Sequence, residues 1–359
     1  MKLGFIYRDQ LIRRTALAAD VGDPVTYCLY GANNLKAQGH EIKIFMSQKT
    51  EGLFNYILYL IFKNHADYLG YFKFILCQKD LDVLVVTAHT YLKISLVLKK
   101  LGIINSKICW ITIGFQDKFC SLKSGSRWFW RWLLKSINRA ICFGWKEQDE
   151  LKNWVPSNKV KFFPFGAPLA SLNARKATSD EHQKLTKIVS VGGDPKRDYE
   201  TVLKVAASLP EIDFSIVASD IHKPVLRNAP SNVCVQYKLP FDQMLNELLS
   251  AKVVLLCSKE NNYSGATTVL LQAMALGKPV IVTRTQAIIK GYGFENAKHL
   301  IFIKPGSVEQ GICSIKKLLS SETEALEMGK RGKQLIEKSL NWECYIKNLE
   351  KEFYSLRKN

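Results

Sequence analysis

Residues 264–283 constrain the fold of this chain more than any other stretch. Val269, Leu270, Ala273, Met274 and Leu276 recur at helical spacing and form a broad apolar face. Gly277 supplies the left-handed residue that ends a helix, and Pro279 cannot continue it. Val280-Ile281-Val282 follow as a short, uniformly apolar strand, the kind a parallel sheet buries on both faces. Helix, tight turn and strand in that order require a layered α/β domain. At the other end, Ser264 and Gly265 are expected to cap and open the helix, with Thr267 and Thr268 in its first turn. Such a start leaves backbone N–H groups and the positive end of the helix dipole free for a phosphate. By spacing alone the pattern also fits α/β architecture without a ligand.

Elsewhere short apolar runs alternate with helical patterns, the signature of β-α-β units. Strands are predicted at residues 2–7, 41–46, 82–87, 107–113, 138–143 and 159–163, then at 187–192, 212–217, 232–236, 252–257, 279–283 and 299–303. The polar, aperiodic stretch 170–180 between the two sets reads as a linker. The expected organisation is a first domain over 1–168, a linker over 169–182, a second domain over 183–341 and a last helix over 342–359. A chain of 359 residues, 47% hydrophobic, is long enough to bury two cores.

Nine cysteines, with no Cys-x-x-Cys, point to a reducing compartment and to neither a disulfide framework nor a zinc site. The first apolar run is too short for a signal-peptide core, and no run approaches the length of a membrane span. A cytoplasmic protein is expected. No metal and no cofactor are expected.

Ala273-Met274-Ala275-Leu276-Gly277-Lys278-Pro279-Val280, together with the residues before it, resembles the donor-binding signature of the family 4 retaining glycosyltransferases. The resemblance implies the GT-B fold, two Rossmann-like β/α/β domains with parallel sheets facing across a cleft, and a nucleotide-sugar donor, most commonly UDP-linked. The family has Glu, seven residues and a second Glu. Here these positions hold Ser264 and Gln272. Gln272 keeps an acceptor for a ribose hydroxyl without charge assistance. Ser264 is shorter than Glu, and Glu260 is close enough in sequence to bring a carboxylate back. Ile188 to Asp198 resembles the strand and loop that open the second domain. Gly193 stands near the family's pyrophosphate-binding Arg, and Arg197 near its Lys. Arg197 is the expected source of charge neutralisation. By resemblance Arg197 and the backbone of Gly265, Ala266 and Thr267 stabilise the reaction. Gly193, Lys196, Glu260, Ser264, Thr268 and Gln272 complete the donor site.

On the acceptor side, Val21-Gly22-Asp23-Pro24 and the later Gln38-Gly39-His40-Glu41-Ile42 look like the family's glycine-rich loop and strand start. Gly22 would let the loop pass near the leaving phosphate. Asp23 either caps a helix or binds an acceptor hydroxyl, and His40 reads as structural. His89 ends a predicted strand where open α/β sheets place ligands. Gln116-Asp117 stands where many relatives carry a His. Phe163-Pro164-Phe165-Gly166-Ala167 looks like the hinge-side strand and turn. The last helix is expected to cross back onto the first domain, as in the family.

The net charge is +19, and residues 1–180 carry +13 of it. Residues 53–63 and 127–135, in that basic half, mix aromatics with cations, a pattern suited to a bilayer interface or to helices packed on a sheet. The expected function is metal-independent, retaining transfer of a sugar from a nucleotide donor to a lipid-linked or glycan acceptor. It would run at the inner face of the cytoplasmic membrane, in cell-envelope polysaccharide or glycolipid synthesis. Alternatives are an inverting GT-B enzyme, a sugar-nucleotide hydrolase, or a basic module with a degenerate donor site that binds membranes or nucleic acid. Basic charge with aromatics also suits nucleic acid, but no known nucleic-acid motif accompanies it.

Overall fold

All twelve predicted strands form, each within two residues of its expected ends. The computed structural model describes residues 1–8, 11–19, 24–47, 56–57, 66–114, 119, 122–178, 187–263 and 265–358. The chain divides into two units, one of residues 1–143, 147–163 and 346–359, the other of residues 144–146 and 164–345.

The first unit is built on six strands, β1 (Lys2–Tyr7), β2 (Glu41–Met46), β3 (Val83–Val86), β4 (Lys107–Thr112), β5 (Arg139–Cys142) and β6 (Val160–Phe162). They lie in the order β2-β1-β3-β4-β5-β6, and every neighbouring pair is parallel. Val83-Leu84-Val85-Val86 is buried throughout, as a strand covered on both faces must be. Beside it, the Tyr71 ring packs against Phe45 and Tyr91 at centroid distances of 5.7 and 5.1 Å. The Tyr71 hydroxyl shares a 2.7 Å hydrogen bond with Ser95 Oγ, so this polar tip is satisfied inside the core.

The second unit holds β7 (Lys187–Gly192), β8 (Asp213–Ala218), β9 (Val233–Tyr237), β10 (Ala251–Leu256), β11 (Val280–Thr283) and β12 (Ile301–Ile303). Their order is β12-β11-β10-β7-β8-β9, again all parallel. Phe214, Leu255, Ile281 and Met328 are among its buried core residues. Gly277 takes the left-handed conformation expected of it (φ +73°), and the chain enters β11 three residues after it. The sheet reverses its direction of growth between β7 and β10, since β8 and β9 extend from one and β11 and β12 from the other. A switch of this kind opens a crevice at the strands' carboxyl ends.

Two findings refine the expected boundaries. The stretch read as a linker contains a helix, Leu169–Thr178, whose Leu172 is fully buried. Its apolar content is too sparse to register as a helical period. Residues 179–182 of that stretch lie outside the described residues. The last helix, Trp342–Lys358, begins in the second unit and belongs to the first from Ile346 onward. There Ile346, Leu349, Phe353 and Leu356 are buried at helical spacing. Glu350 Oε1 lies 2.9 Å from Nε2 of the buried His40, and Glu352 Oε1 lies 2.5 Å from Arg139 Nε. His40 thus fastens the last helix, a structural role.

Candidate functional site

The two loops that leave β7 and β10 flank the switch point of the second sheet, and they are tied together. Arg197 and Ser258 form an antiparallel bridge, Asp198 N donates to Cys257 O at 3.1 Å, and Lys259 N donates to Lys196 O at 2.8 Å. Ser258 N donates in turn to Thr283 Oγ1 at the end of β11, 3.0 Å away. Asp194 anchors the centre. Its Oδ1 accepts from Lys196 N at 2.8 Å and from the Tyr263 hydroxyl at 3.0 Å, while its carbonyl oxygen meets His222 Nε2 at 3.0 Å. Gly265 fits against this carboxylate: an added Cβ would lie 2.8 Å from both Asp194 Oδ2 and Tyr263 Cε2. The glycine is required there by close approach.

Arg197 folds inward from its loop and is only 4% exposed. Its Nη2 donates to Val191 O, whereas Nε and Nη1 are buried with no partner. Burial holds its pKa below the ordinary guanidinium value, with Tyr199 and Asp194 opposing that shift. The adjacent Cys257 is fully enclosed and its thiol is pushed up to about 12, so it is inert at neutral pH.

The helix that follows runs from Thr267 to Ala275, with Ala266 at its N-cap position and no side chain capping it. It therefore starts two residues later than predicted. Gly265 precedes it, and Ser264 lies outside the described residues. The short chain Gly265-Ala266 carries no side chain able to cap the start, and no acidic residue occupies the first turn. Its amide end thus retains affinity for an anion. Thr267, 1% exposed, has an unpartnered Oγ1, and Gln272, 4% exposed, an unpartnered Oε1. Thr268 is half-buried on the same first turn.

Other predicted residues are placed as follows. Gly193 is exposed, and a Cβ there would meet nothing nearer than Ser219 at 3.4 Å. Lys196 contributes its backbone to the loop pairing. Glu260 does not reach toward the helix start; its Oε1 accepts from Gln286 N at 2.8 Å and from Asn261 N at 3.1 Å. In the first unit, His89 opens the helix after β3 and packs its ring against Trp110 and Phe119 at 5.5 and 5.8 Å. Gly22, Asp23, Gln116 and Asp117 lie outside the described residues. So does most of 53–63, of which Tyr56 and Ile57 are described and exposed. Among the described residues, no three His, Cys, Asp or Glu side chains gather as a metal site.

Sequence reasoning missed Asp194 and Tyr263, which set the loop geometry. The Gly193-Asp194-Pro195 run carried a usable signal, since Asp in such a turn bonds the backbone two residues on. Tyr263 had none.

Residues 176–335, all in the second unit, match the model of the glycosyl transferases group 1 family. No match to a curated protein is found. Solved structures match along the whole chain. Sucrose-phosphate synthase from Thermosynechococcus elongatus superposes with a TM-score of 0.74 at 16% identity, covering 99% of this chain and 98% of its own. HepE of Anabaena in complex with UDP-glucose gives 0.70 at 12%, covering 99% and 100%. WaaG, a glycosyltransferase involved in lipopolysaccharide biosynthesis, gives 0.63 at 12%, covering 97% and 98%. The fold is that of the GT-B glycosyltransferases.

Proposed function

We propose that this GT-B chain transfers a sugar from a UDP-linked donor, held at the switch point of the second sheet, to a hydroxyl of a lipid-linked or glycan acceptor. One observation carries the reading. Arg197, Thr267 and Gln272 each bury polar atoms that the protein itself leaves unpaired, and all three were singled out from sequence as donor-site residues. An unpaired buried polar group costs on the order of 1–3 kcal/mol, a burden that a bound ligand removes. The HepE structures with UDP, with UDP and glucose, and with UDP-glucose lend support to the donor class.

In this reading the chemistry needs no acid–base side chain from the second unit. The acceptor hydroxyl attacks on the face that the diphosphate leaves, and a donor phosphate oxygen takes its proton, so the anomeric configuration is retained. Arg197 and the uncapped amides at the start of helix Thr267–Ala275 stabilise the charge that grows on the leaving diphosphate. Gln272 offers its free oxygen to a ribose hydroxyl. No metal is invoked.

Attachment to an anionic membrane surface fits the acceptor. The helix Ser124–Leu134 buries Leu133 and Leu134 while Trp128 and Trp132 stay 70% and 41% exposed beside Arg127 and Arg131. No helix of the described residues is long and apolar enough to cross a membrane. The test of function is a thermal-shift screen with UDP, other nucleoside diphosphates and their sugars, followed by NMR of the product anomer. Stabilisation by UDP and a retained anomer are expected. Absence of a shift with every nucleotide would reject the donor site, and an inverted product would reject the face of attack.

A further inference from the structure

The first unit carries a basic cavity of about 460 Å³ at the end of its sheet away from the strands' carboxyl edge. Four cations line it, Lys107, Arg139, Lys159 and Lys161, with Asn138 and Asn158 between them. Topology explains the gathering. Lys107 and Arg139 are the first residues of β4 and β5, Lys159 immediately precedes β6, and Lys161 lies within it. Because β4, β5 and β6 are parallel neighbours, their amino ends converge on one edge. Strands β4 and β5 run for six and four residues. At about 3.3 Å per residue, Lys107 and Arg139 lie roughly 10 Å or more from the carboxyl ends of the same strands.

The cations are incompletely neutralised. Arg139 Nε pairs with Glu352, and its Nη1 donates to Asn158 O at 2.8 Å. Lys159 Nζ donates to Lys135 O at 3.1 Å, a neutral partner. Burial lowers the pKa of Lys159, and neighbouring Arg139 adds to the shift. Lys99, hydrogen-bonded to Ser106 O at 2.7 Å, is lowered by burial and then by Lys107 and Lys159. Cations that repel one another around a partly enclosed volume are stabilised by an anion placed among them. The side-chain amide of Asn138 is tied into the backbone: its Oδ1 accepts from Ile108 N at 2.9 Å, which holds that edge of the site in place.

We propose that this cavity is a second anion site, which takes phosphate groups and is built wholly from residues of the first unit. The chemistry suits either a soluble oligophosphate or the phosphate of an anionic lipid headgroup, since point-charge ammonium groups recognise phosphate oxygens in both. It does not depend on the assignment of the donor site, because every lining residue belongs to the first unit.

Isothermal titration with tripolyphosphate and sedimentation with phosphatidylglycerol vesicles, each at low salt, test the site with wild-type protein and a Lys107→Gln/Lys161→Gln variant. Tripolyphosphate binding by the variant is expected to weaken roughly tenfold or more, through loss of two charge-assisted contacts. A parallel loss of vesicle binding assigns the site to lipid headgroups. Retained vesicle binding assigns it to soluble phosphates. Tripolyphosphate and vesicles both bound as tightly by the variant as by wild type would overturn the proposal. Lys161→Gln alone, with its melting curve recorded, separates a weakened site from a damaged fold.

Discussion

The guanidinium of Arg197 lies directly over the bare α-carbon of Gly192, so close that a Cβ built there would stand 1.9 Å from Nε and 2.6 Å from Nη2. Backbone and side chain are thereby matched: the last residue of β7 must lack a side chain for the arginine to fold inward. A methyl group at this position displaces the guanidinium from Val191 O or pushes the strand end away from the Arg197 loop. Gly192→Ala is therefore expected to cost about 1–3 kcal/mol, the usual range for overpacking, and to abolish stabilisation by UDP. Chemical denaturation with and without UDP measures both. A variant that keeps its full response to UDP would separate Arg197 from the donor.

Arg197→Met should divide stability from function. The wild-type side chain keeps Nε and Nη1 buried and unpaired, so replacing it with an apolar residue of similar length removes a penalty as well as one hydrogen bond. The ligand-free melting temperature is expected to hold or rise. Turnover is expected to fall by roughly 10²–10³, the scale for loss of one charge-stabilising donor. Wild-type turnover in this variant would remove Arg197 from the mechanism.

Gly193 offers the converse test. The position is exposed and an added Cβ meets ordinary contact distances at Ser219, so a long side chain can be accommodated. Gly193→Arg adds a cation beside the loop that holds Arg197. Binding of UDP is expected to tighten several-fold, about 1 kcal/mol for an added charge-assisted contact, with a steeper salt dependence. Calorimetry at two salt concentrations reads both. Unchanged affinity would place the diphosphate elsewhere.

The strands were legible because most are short, largely apolar runs between polar turns, and burial on both faces leaves that mark on the inner ones. Val83–Val86 and Val280–Thr283 are clear cases. Helix Leu169–Thr178 was not, because its contribution to the core rests on few apolar residues such as Leu172. At the candidate site, identities were legible and geometry was not. Arg197, Thr267 and Gln272 were singled out from sequence, but their burial depends on contacts between loops more than sixty residues apart. The bonds from Asp194 to Tyr263 and His222 leave no pattern in either loop. The late start of the Thr267–Ala275 helix was hidden for a related reason: a capping-type residue and glycine at 264–265 mimic a start that the chain makes at Ala266.

His222 makes the second unit sensitive to acid. Burial lowers its pKa below the ordinary 6.5, and its Nε2 faces the Asp194 carbonyl, so the folded protein favours the neutral ring with Nε2–H donating. His299 is lowered for the same first cause, and its Nδ1 accepts from Glu295 N at 3.2 Å. Both folded values lie below the unfolded one, so the unfolded chain binds more protons in that window. Their stabilisation is full above about pH 6.5 and is lost as pH falls through the folded values. The melting temperature is expected to drop as the pH falls below about 6.5, and His222→Gln should flatten part of the slope. An identical slope in that variant would acquit His222.

Trp128 and Trp132 decide whether the basic helix meets a membrane. Trp132 is partly shielded by Lys100, whose Nζ lies 4.1 Å from its ring centroid, whereas Trp128 is 70% exposed. On a purely structural helix so large an exposed ring contributes little, and Trp128→Ala should change stability by no more than about 0.5 kcal/mol. At a bilayer the same ring sits at headgroup depth, with Arg127 and Arg131 toward anionic lipid. Trp128→Ala is therefore expected to weaken binding to phosphatidylglycerol vesicles several-fold while the melting temperature and transfer to a water-soluble acceptor stay unchanged. Equal vesicle binding by variant and wild type would leave this helix as packing for the first sheet and nothing more.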